Sequence, residues 1–154
     1  MINKPTTARL IEAVRDDLRA RVAPFVTDPK ARIALEMSIL VLETAAVRSQ
    51  HELAWMLEEA DTIETLGLEL VARLPEAQPL AQALADYERG KVAVREMADV
   101  HAHYERASEL LARAAEAAYE ANDAQSIREV TAVFEHRRDH QNAVSGGYEA
   151  VGRS

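Results

Sequence analysis

After Pro29 the chain runs to about Ala60 with no further glycine or proline, and no other feature narrows its fold as much. An uninterrupted stretch of this length predicts a helix of about 30 residues and about 45 Å. Its middle is apolar nearly all round: Ile39, Leu40, Val41, Leu42, Ala45, Ala46 and Val47 leave only Glu43 and Thr44 as polar positions. A helix of that kind belongs in the centre of a bundle or under another subunit, which makes Val41 and Leu42 candidate interface residues. The start of the helix is marked as well. An Asp28 side chain can accept from the free amides of the first turn, and Pro29 is tolerated at the first helical position.

The flanking segments have the same character. Leu10, Ile11, Val14, Leu18 and Val22 recur at spacings of three and four, so a first helix from Thr7 to Val22 is expected, capped by Thr6 or Thr7 and stopped by Pro24. Asp61 or Thr62 is expected to cap a short helix carrying Ile63, Leu66, Leu70, Val71 and Leu74, closed by Pro75. From Pro79 a second long helix is expected to reach about Ala121. It carries a heptad seam of Tyr87, Val94, His101, Ser108 and Ala115, with Met97, Tyr104, Leu111 and Ala118 three residues further on. Gly90 weakens this helix and marks a kink. Asn122 and Asp123 break the chain and cap a last helix, Ala124 to Ala143, whose Ile127, Val130, Val133 and Phe134 face inward. The expected fold is all-α: an elongated antiparallel bundle of four to five helices, two of them long, forming a single domain over residues 1–144 with a flexible tail at 145–154.

Composition excludes several classes of function. Hydrophobic residues make up 48% and charged residues 29%, so the chain has the stock for a core. There is no cysteine, which removes disulfides, thiolate catalysis and sulfur-bound zinc. No apolar run approaches the ~20 residues of a membrane span, and the N-terminus lacks the pattern of a signal peptide; a cytoplasmic location is expected. The net charge is −8, with Lys and Arg dispersed among the acids, which argues against nucleic-acid binding.

Few residues point to chemistry. His136 and His140 stand one helical turn apart, a spacing at which two imidazoles can grip one metal ion, although no third ligand is evident and Arg137 and Arg138 bring positive charge close by. His101 falls in the seam beside Tyr104, so both are expected to be buried polar groups or ligand contacts, with His103 turned to solvent. Trp55 is a core or interface anchor. Glu58 and Glu59, being adjacent, diverge by about 100° and read as solvated faces. Each residue three places before a histidine (Arg48, Ala98, Val100, Val133, Arg137) is something other than Glu, so the di-iron bundle pattern is absent. No phosphate loop, nucleophile elbow or metalloprotease motif is present. No catalytic residue is assigned, and no cofactor is identified.

The run Lys4-Pro5-Thr6-Thr7, Leu10 to Val14, Val22-Ala23-Pro24 and Ala31 to Ala34 resembles the start of an uncharacterised bacterial family of small helical proteins. Its members are often encoded beside aminoglycoside-phosphotransferase-like kinases and acyl-CoA dehydrogenases. The resemblance covers the N-terminal third. Asp28-Pro29-Lys30 and Glu36-Met37 stand where the family pattern has a His and an Asn, so only Arg32 carries over as a site residue. What it implies is an accessory protein for a kinase-like or dehydrogenase partner in acyl or small-molecule catabolism. The residues themselves lead to a non-catalytic interaction protein that self-associates, a dimer being favoured; the alternative is a bundle binding a small ligand or metal through His101, Tyr104, His136 and His140.

Overall fold

The computed structural model describes residues 5–91 and 96–145, the latter without the Ser145 side chain, and it is all-α: helices pack on one another, with no strand among the described residues. The α-helices are α1 (Thr7–Asp17), α2 (Pro29–Arg73), α3 (Gln78–Arg89), α4 (Met97–Glu120) and α5 (Ala124–Ser145), with a π-helical turn at Leu18–Val22 and a 3₁₀ turn at Ala23–Phe25 after α1. The tail expected from residue 145 lies, from residue 146 on, outside the described residues, as does Val94 of the expected seam.

Capping chemistry places most helix ends. The Thr6 hydroxyl accepts from Arg9 N at 3.4 Å, and the Asp28 carboxylate accepts from Ala31 N at 2.8 Å. Between α4 and α5, Asn122 takes the left-handed conformation at φ 49°. Asn122 N then donates to Tyr119 O, and Asp123 N to Ala118 O, which satisfies the last carbonyls of α4. Asp123 goes on to cap α5 through Ser126 N at 2.9 Å. Three expected boundaries differ. The α-helix expected from Thr7 to Val22 ends at Asp17 and passes into the π-helical turn Leu18–Val22. The helix expected to end near Ala60 continues to Arg73, because Thr62 and Thr65 donate their hydroxyls to the carbonyls of Glu58 and Asp61, inside the helix, in place of capping a new one. The helix expected from Pro79 to Ala121 is instead two, α3 ending at Arg89 and α4 starting at Met97. Gly90 caps α3, and Arg106 of α4 occupies the space a Cβ there would need, 2.6 Å from its Nε, while its Nη2 donates to Gly90 O at 2.7 Å.

The chain divides into two compact units. The first holds residues 1–52 and 141–154; within it Arg19 pairs with Glu43 of α2 at 2.7 Å. The second runs Leu53–His140 and is a bundle of the later part of α2 with α3, α4 and α5. Its core joins Ile63, Leu66 and Leu70 of α2, Leu80, Leu84 and Tyr87 of α3, Ala107, Leu110, Leu111 and Ala114 of α4, and Val130 and Val133 of α5. Gly67 lets α2 approach α4: a Cβ there would stand 3.0 Å from Leu110. Arg73, in the last turn of α2, makes a bidentate pair with Glu129 of α5 (2.6 and 3.2 Å) and donates to Ser126. That pairing holds the Glu129 carboxyl below its ordinary range, while the hydroxyl and amide of Ser126 do the same for Asp123.

Candidate functional site

Toward His140, α5 carries a cluster of hydrogen-bonded polar side chains. His136 and His140 share one helix face, their ring centroids 4.3 Å apart. The neighbouring α2 presents Glu58 and Glu59, whose directions diverge by about 100°, and the two acids have opposite fates. Glu59 is 4% exposed, so the expectation of a solvated pair fails for it. Its Oε1 accepts from His140 Nδ1 at 2.7 Å; its Oε2 accepts from the Tyr104 hydroxyl of α4 and stands 3.2 Å from Arg137 Nε. Arg137 also donates to the Tyr104 hydroxyl (3.0 and 2.6 Å) and to Ser108 Oγ at 3.1 Å. A buried carboxylate needs this many donors to offset its lost hydration. Burial, then the hydrogen bond to Glu59, pushes the Tyr104 phenol up, so it remains a donor.

Glu58, by contrast, is exposed, with its Oε1 3.7 Å from His136 Nε2. Trp55 lies one helical turn before Glu59 on α2, and its ring stacks on His140 with centroids 4.5 Å apart and planes within 9°. Sequence alone suggested a core or interface anchor; the structure puts Trp55 on the face of a histidine. Arg138 lies 3.8 Å from Asp139 and Arg137 is taken up by Glu59, so each arginine has a carboxylate neighbour.

The structure thus brings together Tyr104, His136 and His140, and adds Glu58, Glu59 and Trp55. It leaves out His101, which is exposed, while His103 is buried, the reverse of what the heptad seam implied. The break between α3 and α4 ends the register carried over from Tyr87; the buried stripe of α4 is Val100, His103, Ala107, Leu110 and Leu111, Ala114, and Met97 is exposed. His103 Nε2 bonds the Tyr87 hydroxyl at 3.0 Å, and burial together with the charge of Arg106 lowers its proton affinity. Phe134, expected inside, is exposed, and Val130 and Val133 fill that role.

A second surface lies in the first unit. Ile33, Met37, Leu40 and Val41 recur at helical spacing along α2 and are all exposed, Val41 at 65%. Leu35, Ile39, Leu42 and Ala46 are buried or half-buried. At 3.6 residues per turn the two stripes lie on opposite sides of the helix. Leu10 and Val14 of α1 and Phe25, the last at 81%, are exposed as well. Arg32 lies 3.4 Å from Glu36 and lines an open cleft with Pro24, Val26 and Leu35, the last a residue of the inner stripe. No helix among the described residues is long and apolar enough to cross a membrane. Comparison with known proteins finds no matching family model, no matching curated protein and no matching solved structure.

Proposed function

We propose that this chain is a non-catalytic helical interaction protein whose first unit is completed by a second copy of itself. The observation that carries the reading is the exposed stripe Ile33, Met37, Leu40 and Val41 on the side of α2 opposite Ile39 and Ala46. Single exposed apolar residues need no explanation, but a helical row of them, in a unit that also exposes Leu10, Val14 and Phe25, is what an obligate interface resembles when one partner is removed. A second copy is the favoured occupant because the row lies along a single helix and can meet its own symmetry mate, the self-matching geometry of a two-fold dimer. Leu42, half-buried on the inner stripe, supports the helix behind the interface.

Sedimentation over a dilution series tests this. The wild-type chain is expected as a dimer that dissociates on dilution, and Val41→Glu and Met37→Glu each yield a monomer of unchanged helical content. A wild-type monomer at every concentration, or a dimer indifferent to both substitutions, overturns the reading.

The resemblance carried by the N-terminal third extends the proposal to an accessory role beside a kinase-like or dehydrogenase partner in acyl or small-molecule catabolism. Purification of the tagged protein from its host tests that part: stoichiometric recovery of such an enzyme supports it, and recovery of this chain alone removes it.

A further inference from the structure

We infer that Glu58, His136 and His140 form a three-ligand site for a divalent metal ion of the zinc class, at the end of the second unit. Their ligand atoms lie within 4.8 Å of one another. Zinc–ligand bonds of ~2.0–2.1 Å place tetrahedral ligand atoms roughly 3.4 Å apart. The 3.7 Å between Glu58 Oε1 and His136 Nε2 is already near that spacing, and these two side chains, 59% and 43% exposed, have the freedom to close the remainder around His140.

Three observations separate this cluster from a chance group of surface acids. The donor set is mixed, two imidazoles and one carboxylate, which suits zinc, nickel or cobalt better than the all-oxygen shells of calcium or magnesium. His140 is held from two directions, its face by Trp55 and its Nδ1 by Glu59. A carboxylate accepting from Nδ1–H fixes the tautomer whose Nε2 carries the free lone pair, the arrangement by which outer-shell carboxylates prepare metal-bound histidines. Finally, of the two cations that weigh against a metal at this helix, Arg137 points its guanidinium at Glu59, Tyr104 and Ser108, and Arg138 lies 3.8 Å from Asp139. Arg137 balances Glu59 and leaves the charge of Glu58 for the ion. Three protein ligands with partial exposure leave a fourth position to water or to a small anionic ligand.

Glu59 is a positioning residue here: it acts on the ion only through His140. The test is calorimetric titration of metal-free protein with Zn²⁺, followed by Co²⁺ with its visible absorption recorded. One ion per chain is expected, with the intense d–d bands of a low-coordinate Co²⁺ site. His136→Ala, Glu58→Gln and His140→Ala are each expected to weaken binding at least about tenfold, and Glu59→Gln by about 10–100-fold with stoichiometry kept. His136 and Glu58 are exposed enough that their variants fold; circular dichroism checks this for the other two. No Zn²⁺ binding by the wild type, binding that survives His136→Ala and Glu58→Gln unchanged, or an equal response to Mg²⁺ would each overturn the assignment. The outcome is independent of self-association, because all three ligands belong to the second unit.

Discussion

One helix, α2, serves two regions that use apolar residues in different ways. From Leu53 onward it presents Ile63, Leu66 and Leu70 on one side, and α3, α4 and α5 cover them almost completely. Before Glu52 it carries apolar residues on two opposite sides; one holds the buried Ile39 and Ala46, and the other is exposed from Ile33 to Val41. The second unit therefore has its own core, and most polar groups drawn into it meet partners there: Glu59 with three donors, Ser126 with Asp123 and Arg73, and His103 with Tyr87 through Nε2, while His103 Nδ1 is buried without a hydrogen-bond partner among the described residues. The first unit is nearly as rich in apolar residues, and among the described residues far fewer of them are buried. Hydrophobic content measures what a segment can bury, and only neighbours decide what it does bury.

The sharpest way to break this contrast is in the second unit's core. Leu110→Ala, at a site with no exposure and in reach of Gly67, is expected to destabilise it by about 2–5 kcal/mol in chemical denaturation. Tyr104→Phe keeps the ring but takes a donor from the buried Glu59 and an acceptor from Arg137; a loss of about 1.5–3 kcal/mol is expected, with little change in shape.

Acidification sharpens the contrast further. Because burial and Arg106 hold the proton affinity of His103 below its ordinary 6.5, the unfolded chain takes up that proton first. Stability is then constant in this respect above pH ~6.5 and falls as pH drops from there toward the folded value. Asp123 and Glu129, whose carboxyls are depressed, add a second loss as pH falls below their ordinary 3.8 and 4.5 toward the folded values. The pH dependence of the denaturation midpoint should differ in slope between the wild type and His103→Gln only in the upper window; parallel curves throughout would remove His103 as the cause. The smallest effect on the second unit is expected from Val41→Glu: its unfolding transition should stay within about 0.5 kcal/mol of wild type, as for a surface change, while dependence on protein concentration disappears.

Local chemistry was legible wherever a residue acts on its own backbone. Thr6, Asp28-Pro29 and Asn122-Asp123 mark helix ends because an oxygen acceptor, a missing N–H or a tolerance of positive φ has the same effect in any fold. The turn-apart spacing of His136 and His140 was equally readable. Thr62 misled, since a threonine hydroxyl bonds the preceding turn as readily as it caps the next. The phase of α4 misled for another reason: a heptad register continues only while the helix does, and the break after Gly90 released it, exchanging His101 for His103. Glu59 had no sequence signal at all, because its partners lie 45, 78 and 81 positions away.

The sequence by itself determined that this chain is helical, where most of its helices start and stop, and which residue types stand one turn apart, since those follow from interactions within a few residues. Which helix face is covered, which of two adjacent glutamates is buried, and which histidine meets a tyrosine were decided only in the tertiary structure. Burial and electrostatic pairing depend on side chains that the backbone path alone brings within a few ångströms, and neighbouring residues on a helix, pointing about 100° apart, can meet wholly different surroundings.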